Sequence, residues 1–234
     1  MRLDKFLCHV GIGTRTEVQK LIKKKRVTVD DVTITNAGLI IRPEEQEICL
    51  DNEVLTFKQY YYFVLNKPQG VITATEDSRH ETVLDLLDFE DQNKKVSPVG
   101  RLDKDTEGLL ILTNDGKTSH QLLSPKKHVP KVYYAKIEGE LINNACEKFV
   151  EGIILEDNTQ CLPAKLEILG SSEVKVTLQE GKFHQVKRMI KQVGAEVVYL
   201  KRIKMGNLDL PSDLELGEYR ELTEQELLLL KGEN

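Results

Sequence analysis

The sequence predicts an α+β protein, and three observations lead to that class. Helical and strand patterns of apolar residues are interspersed along the chain without the regular strand–helix–strand alternation of a parallel sheet. Hydrophobic residues make up 40% of the chain and charged residues 30%, which is typical of a folded protein. The length of 234 residues exceeds one small domain, and the composition shifts near residue 58. We therefore predict two domains, over residues 1–58 and 59–234.

The sequence lacks the features expected of a membrane or secreted protein. Its longest apolar runs, over residues 60–65 and 227–230, are far shorter than the roughly 20 residues that span a bilayer. Asp4, Lys5 and His9 interrupt the N-terminus, so no signal peptide is expected there. The cysteines are too widely spaced to predict a zinc site or a disulfide framework, and they are Cys8, Cys49, Cys146 and Cys161. We expect a cytoplasmic protein.

Residues 1–58 are predicted to form two helices and a few strands. The i, i+3, i+4, i+7 spacing of apolar residues predicts a first helix in RLDKFLCHVG. Thr14 and Glu17 have the spacing of a capping box, which predicts the start of a second helix that carries lysines on one side. The alternation in RVTVDDVTITNAG predicts a hairpin that turns at Asp30 and Asp31, and EICLDNEVL predicts one further strand.

The larger domain mixes both kinds of element. YYYFVLNKPQGVIT predicts a strand, a turn and a second strand, and HETVLDLLDFE predicts a short helix. A loop over 100–108 precedes a buried strand over 109–113, a turn and another helix. Strands are predicted in KVYYAKIEGEL and EVKVTLQEGKF, followed by a helix in HQVKRMIKQVG that ends at Gly194. Further strands and a short acidic helix over 223–230 complete the chain.

The charge is segregated along the chain, although the net charge is only −5. Residues 2–26 contain eight basic and two acidic side chains, and residues 181–204 contain seven basic and one acidic side chain. Residues 205–234 contain two basic and eight acidic side chains. Such runs are often solvated helix faces. Because a phosphate backbone responds to the local patch rather than to the net charge, two basic blocks favour a nucleic-acid partner.

The stretch GRLDKDTEG places Asp103 in a polar loop directly before an apolar strand, where reactive groups often lie. The ordinary interpretation is that Asp103 or Asp105 caps a turn. A glycosidase pair formed by these two carboxylates is disfavoured, because groups so close in sequence seldom flank a bond at about 5–9 Å. The pattern alone leaves a functional role and a turn cap both open.

A second stretch, GKFHQVKRM, offers cations that could keep a buried carboxylate ionised. Burial raises the pKa of a carboxyl group, and a cation at about 4 Å offsets this by about 4 kcal/mol at an effective dielectric near 20. Lys187 and Arg188 could equally be surface residues, and His184 is interpreted as an ordinary hydrogen-bonding residue. Tyr133 and Tyr134 are neighbours in a predicted strand and therefore face opposite sides, so that one could stack on a nucleobase. The sequence contains no motif for nucleotide hydrolysis, dinucleotide binding, zinc peptidases or α/β-hydrolases.

Several motifs together resemble one known family. GRLDKDTEGLLILTNDG resembles the signature of the RsuA-type pseudouridine synthases, which modify ribosomal RNA. LNKPQGVIT, SPKKHVPKVYYAKI, EGKFHQVKRMI and LKRIKMGNL resemble the other blocks of that family, in the same order. RLDKFLCHVGIGTRTEVQKLIKKKRVTVD resembles the S4 RNA-binding domain that the family carries at its N-terminus. The resemblance implies an S4 domain followed by a catalytic domain with a mixed, largely antiparallel sheet and a central cleft.

The resemblance also assigns residues. Asp103 matches the catalytic aspartate, Tyr133 the tyrosine that stacks on the target base, and Lys187 the basic residue paired with the aspartate. Further basic residues implied to bind the substrate are Arg101, Arg202, Arg188 and Lys67. RNA binding by the S4 domain is assigned to Arg2, Lys5, Arg15, Thr16, Lys20, Lys23, Lys24 and Arg26.

The reaction implied by the resemblance converts a uridine in RNA to pseudouridine. It needs no metal and no cofactor, because the two nucleosides are isomers. The segment LSPKKH resembles the members that act on small-subunit (16S) ribosomal RNA more than those that act on large-subunit (23S) RNA, which stay an alternative. A non-catalytic rRNA-binding assembly factor and a base-excising glycosidase are the other hypotheses. The partner is expected to be ribosomal RNA or an assembly intermediate, and the protein is expected to be a monomer.

Overall fold

The fold was obtained as a computed structural model, which describes residues 1–232. The helices are α1 (Leu3–His9), α2 (Arg15–Lys23), α3 (Phe89–Gln92), α4 (Gly116–Leu123), α5 (Ala145–Glu151), α6 (Gln185–Lys191) and α7 (Glu224–Lys231), with a 3₁₀ turn at Pro125–Lys127. The strands are β1 (Val27–Val29), β2 (Val32–Thr33), β3 (Ile48–Leu50), β4 (Glu53–Val54), β5 (Tyr62–Lys67), β6 (Ser97–Pro98), β7 (Glu107–Thr113), β8 (Lys131–Gly139), β9 (Lys165–Ile168), β10 (Glu173–Leu178), β11 (Ala195–Met205), β12 (Leu208–Asp209) and β13 (Tyr219–Glu221). The predicted α+β class is confirmed.

The described chain divides into two compact units. The first contains Met1–Tyr61 and also Leu87–Val96, a segment in which the Lys94 ammonium lies 4.6 Å from the centre of the Tyr61 ring. The second contains Tyr62–Leu86 and the described chain from Ser97 onward. The segment that includes α3 thus belongs by its contacts to the first unit, whereas the division at residue 58 assigns it to the second domain.

The first unit packs α1 and α2 with a four-stranded sheet in the order β2-β1-β3-β4. Its core is apolar and contains Leu3, Phe6, Leu7, Val18, Ile22, Val27, Val29, Ile41 and Ile48. The predicted capping box is confirmed, because the Thr14 amide and hydroxyl donate to the Glu17 carboxylate while the Glu17 amide donates to the Thr14 hydroxyl.

The prediction of one further strand in EICLDNEVL is wrong, because the segment folds as the hairpin β3–β4. Asp51 and Asn52 have φ values of 50° and 69°, in the left-handed region that a tight hairpin turn requires. Aspartate and asparagine tolerate this region better than most residues. The Asp-Asn pair was therefore a turn signal within the sequence.

The second unit contains a nine-stranded mixed sheet with the order β13-β5-β7-β11-β8-β10-β9, to which β6 and β12 are added at β7 and β11. Among the described strand pairs, β7 with β11 is parallel and the others are antiparallel. The mixed, largely antiparallel sheet is thus confirmed. Every residue of β5 and β7 is buried, as expected of central strands covered on both faces.

The segment between β5 and α3 differs from its prediction. In place of a second strand, residues 71–74 contribute one parallel bridge, between Ile72 and Thr82. In place of a helix, residues 81–88 form turns, because the amide of Val83 donates to the carbonyl of Ile72 rather than within its own segment. The helix begins later, at Phe89. Tertiary hydrogen bonds thus override an apolar spacing that suited a helix.

An apolar core of the second unit lies against its sheet and includes Val64, Leu109, Ile111, Leu208 and Leu230. Helix α7 begins with a second capping box, formed by Thr223 and Glu226. Within residues 1–232, no helix is long and apolar enough to cross a membrane.

Candidate active site

The second unit contains a cavity of about 640 Å³ at the loop that precedes β7. Three parts of the unit surround it: the loop over residues 100–106, the inner face of β8 and β11, and the turn over residues 181–184 that leads into α6. Residues that line the cavity include Arg101, Asp103, Lys131, Tyr133, Phe183, His184 and Arg202. The sequence patterns were far apart in the chain, and the fold brings them to one place.

The loop that carries Asp103 is fixed by hydrogen bonds on both sides. The Lys67 ammonium is fully buried and donates to the carbonyls of Pro68 at 2.9 Å and Thr106 at 3.0 Å. On the other side, the Thr73 hydroxyl donates to the Leu102 carbonyl at 2.7 Å. Burial lowers the pKa of Lys67 to about 8, although nearby carboxylates oppose this shift. The lysine therefore holds the loop through backbone carbonyls.

A lysine and a histidine lie beside the Asp103 carboxylate, whose side chain is 27% exposed. The Lys187 ammonium is 3.5 Å from Asp103 Oδ2 and 2.6 Å from Asp105 Oδ1, and His184 Nε2 is 3.6 Å from Asp103 Oδ1. Lys187 thus bridges the two carboxylates, and its hydrogen bond goes to Asp105. Burial acts to raise the pKa of Asp105, but the hydrogen bond and charge of Lys187 outweigh it, so that this pKa lies below its usual value.

The floor of the cavity is a face of the sheet. Arg202 on β11 lies directly opposite Tyr133 on β8, so that both side chains are on one face, and Lys131, two residues earlier on β8, shares it. Tyr133 is 9% exposed and lines the cavity, whereas Tyr134 points away and its ring contacts that of Tyr199 at 6.2 Å. The prediction that the two neighbouring tyrosines face opposite sides is confirmed.

Gly108 allows β7 and β11 to approach each other at this floor. Its φ is +101°, and a Cβ atom there would lie 2.2 Å from the Arg202 carbonyl oxygen. Only glycine combines that backbone conformation with so close a contact. Gly108 therefore permits the pairing of β7 with β11. The position of the Asp103 loop, which leads into β7, depends on that pairing.

The other predicted substrate-binding residues lie in different places. Arg101 is exposed and lines the cavity. Arg188 forms an ion pair with Asp157 at 2.6 Å, and neither Arg188 nor Lys67 is among the described residues that line the cavity. The assignment of Arg188 and Lys67 to the substrate stays a prediction.

Sequence reasoning missed three residues of the cavity. His184 was interpreted as an ordinary residue, but it adopts a left-handed conformation, with φ at 49°, that places its ring beside Asp103. Phe183 is 69% exposed and its ring stacks on that of His184 at 3.8 Å. Lys131 is buried on the floor, and its i, i+2 spacing to Tyr133 was the signal for it.

In the first unit, the predicted RNA-binding residues separate into paired and unpaired side chains. Arg2 and Arg15 form ion pairs with the buried Asp4, and Arg26 does so with Asp51. In the described part of the chain, the exposed side chains of Lys5, Lys20, Lys23 and Lys24 form no ion pair, and Thr16 is exposed on α2 as well. Helix α2 buries Val18 and Ile22 on its other side, so its outer surface is basic.

Comparison with known proteins agrees with both units. Residues 61–192 match the RNA pseudouridylate synthase family, and residues 1–47 match the S4 domain. The chain belongs to the RNA pseudouridine synthase family. The synthase is 46% identical to "Uncharacterized RNA pseudouridine synthase YtzG" of Bacillus subtilis (strain 168), over 98% of each chain. It is 40% identical to "Ribosomal small subunit pseudouridine synthase A" of Escherichia coli (strain K12), over 97% of this chain and 98% of that one.

A solved structure also resembles the synthase over its length. The protein described as "Crystal structure of pseudouridylate synthase" is 38% identical and covers 98% of this chain and 99% of its own, with a TM-score of 0.69. The predicted family, the fold class and the pseudouridine synthase activity are therefore confirmed.

Proposed function

We propose that this synthase converts a specific uridine of small-subunit (16S) ribosomal RNA to pseudouridine, with Asp103 as the group that acts on a flipped-out nucleotide. The observation that carries this proposal is the position of Asp103: a partly exposed carboxylate at a cavity, with Lys187 and His184 beside it and the floor formed by Tyr133. The roles that we propose for Lys187, Tyr133 and Arg101 follow from their positions and contacts in the site.

Lys187 orients Asp103 without covering it. Its hydrogen bond goes to Asp105, so its ammonium stays near Asp103 at 3.5 Å while an oxygen of Asp103 remains free to meet the substrate. The attraction between an ammonium and a carboxylate at this distance fixes the position of the Asp103 side chain. An ionised carboxylate is what both a nucleophilic and a basic role require.

The target base must leave the RNA stack to reach Asp103. Extrusion costs a few kcal/mol of unstacking, which stacking and phosphate contacts offset. The Tyr133 ring on the cavity floor is suited to stack against the extruded uracil, and an aromatic–base contact of this kind is worth about 1–3 kcal/mol. Arg101, which is exposed at the same cavity, is suited to a phosphate of the flipped nucleotide.

The reaction cleaves the N1–C1′ bond, turns the uracil and joins C5 to C1′. Asp103 acts either as a nucleophile at the sugar or as a base, and both routes leave the uracil detached for a time. Retention of the uracil is therefore essential, because its escape would leave an abasic site. The walls provided by the Asp103 loop and the turn into α6 support such retention.

The name of the Escherichia coli relative, together with 40% identity over nearly the whole chain, supports small-subunit rRNA as the target. The basic outer surface of α2 supports binding of RNA beyond the target nucleotide. Large-subunit rRNA is the alternative substrate.

Small-subunit rRNA labelled with tritium at uridine C5, and taken from cells that lack the protein, tests this function. We expect the purified synthase to release tritium, because the C5 hydrogen is lost when C5 bonds to C1′. Large-subunit rRNA prepared in the same way is the control. Release from the large-subunit RNA alone would contradict the proposed target, release of free uracil would indicate a glycosidase, and no release from either RNA would indicate a binding protein.

Replacement of Lys20, Lys23 and Lys24 by glutamine in the full-length synthase is expected to weaken rRNA binding and its dependence on salt. Each lost phosphate contact should reduce the slope of log affinity against log salt by about 0.7–0.9. The three exposed side chains make no ion pairs within the described chain, so their loss should leave the fold intact. Filter binding at several salt concentrations measures the slope, with Lys148→Gln on α5 as the control. An unchanged slope in the triple variant would show that α2 does not contact RNA.

A further inference from the structure

Two cations are buried on the floor of the cavity, and no described residue supplies a counter-ion to either. Arg202 is 2% exposed and Lys131 is 5% exposed. Arg202 Nε donates to the Leu109 carbonyl at 2.7 Å, and the Lys131 ammonium donates to the Val129 carbonyl at 3.1 Å. Among the described residues, neither cation forms an ion pair, and Arg202 Nη2 has no hydrogen-bond partner.

This arrangement is costly for the free protein. A buried charge without a partner loses much of its hydration, and a buried N–H group without an acceptor adds to that cost. Burial, together with the charge of Arg202, lowers the pKa of Lys131 to about 8. Both side chains line the cavity. Two cations held in this way are suited to an anion that enters the cavity from outside.

The depth of the two cations indicates which part of the substrate they meet. Phosphates of a flipped nucleotide stay with the RNA backbone, at the mouth of the cavity, whereas the base extends furthest inward. Arg202 lies opposite Tyr133, the side chain suited to stack on that base. The strand that carries Arg202 pairs on both sides, with β7 and β8, so the guanidinium is held by a rigid element.

We propose that Arg202, supported by Lys131, binds the carbonyl oxygens of the uracil and stabilises the negative charge that the ring acquires when it leaves the sugar. The proposal rests on the proposed function and adds a catalytic residue to it. When the N1–C1′ bond breaks, its electron pair stays with the uracil and spreads over N1, O2 and O4. In the nucleophilic route an oxygen of Asp103 bonds to C1′, and in the basic route the sugar gives a proton to Asp103. When C5 then bonds to C1′, the Asp103–C1′ bond breaks and its electron pair returns to the carboxylate, or the proton on Asp103 returns to the sugar. The C5 proton passes to water, and N1 takes up a proton.

A comparison of two leaving groups tests the proposal. Small-subunit rRNA transcripts that carry uridine or 5-fluorouridine are given to wild-type synthase and to Arg202→Gln, and loss of the parent nucleoside is followed in a single turnover. Fluorine withdraws electrons from the ring. The 5-fluorouracil anion is therefore a better leaving group than the uracil anion and depends less on stabilisation by Arg202. The variant should consume uridine about 10²–10³-fold more slowly than wild type, and its defect on 5-fluorouridine should be about tenfold smaller.

Two further variants serve as controls. Lys204→Gln removes another cation from the same strand, one that pairs with Asp209, and should affect both transcripts equally. Arg202→Lys keeps the positive charge, so its rates on the uridine and 5-fluorouridine transcripts should stay in the wild-type ratio. This variant tests the proposal even if Arg202→Gln folds poorly. Melting temperature and RNA affinity are measured for each protein.

The possible results lead to different conclusions. If Arg202→Gln consumes both transcripts equally slowly, binds RNA more weakly and shows a smaller slope of log affinity against log salt, Arg202 contacts a phosphate. That result would overturn the proposal. A lower melting temperature with unchanged rates would overturn it in favour of a structural role. Failure of the wild-type synthase to consume either nucleoside would refute the proposed function itself and, with it, this inference.

Discussion

Asp103→Asn is expected to abolish pseudouridine formation while RNA affinity stays within a few-fold of wild type. The amide has the shape of the carboxylate but can act neither as nucleophile nor as base at the nucleotide. Loss of a residue that acts directly on the substrate costs about 10⁴-fold or more in rate. Lys187 keeps its 2.6 Å hydrogen bond to Asp105, so the neighbouring cation is not left without a partner. Tritium release and filter binding measure the two quantities.

Asp105→Asn is the matched control for this result. It removes the other carboxylate beside Lys187, but Asp103 stays in place with its loop held by Lys67 and Thr73. We expect a loss of rate of about tenfold at most, because the hydrogen bond of Asp105 goes to Lys187 and Asp103 keeps its own contact with that lysine. Full loss in the Asp105 variant with activity retained in the Asp103 variant would exchange the roles of the two carboxylates.

Gly108→Ala is expected to destabilise the second unit severely. The new Cβ would lie 2.2 Å from the Arg202 carbonyl oxygen and 2.9 Å from its amide nitrogen, and the φ of +101° adds strain for any L side chain. The clash is with backbone, and β11 cannot withdraw because it also pairs with β8 along most of its length. A cost above about 4 kcal/mol corresponds to a fall in melting temperature of about 10 °C or more.

Gly116→Ala provides the matched control for the glycine substitution. A Cβ atom at this first residue of α4 would meet no atom within 4 Å, and the backbone there is not left-handed. The variant should melt within a few degrees of wild type, because alanine is the better helix former. Calorimetry or circular dichroism measures both variants. A Gly108 variant that melts as high as the Gly116 variant would show that β7 and β11 do not pair as closely as described.

Local features of the chain were predictable because their causes lie within a few residues. The capping box at Thr14 and Glu17 forms from side chains three positions apart, and the hairpin at Asp30–Asp31 turns where two short polar residues adopt positive φ. The buried strand after the Asp103 loop followed from its apolar run, and begins at Glu107 rather than Leu109. Where local reasoning failed, as over residues 81–88, backbone groups were bonded to Ile72, a partner that the segment itself does not contain.

The sequence by itself determined the class of fold, the family to which the chain belongs and the importance of the Asp103 stretch, because these follow from local patterns and from motifs that resemble known ones. Only the tertiary structure decided that Lys187 bridges two carboxylates, that Lys67 holds the loop, and that Arg202 is buried on the cavity floor with an N–H group unpaired. The physical reason is that an ion pair or a buried charge depends on distances between residues far apart in the chain. Those distances are set by strand pairing, here by the close approach of β7 and β11 at Gly108.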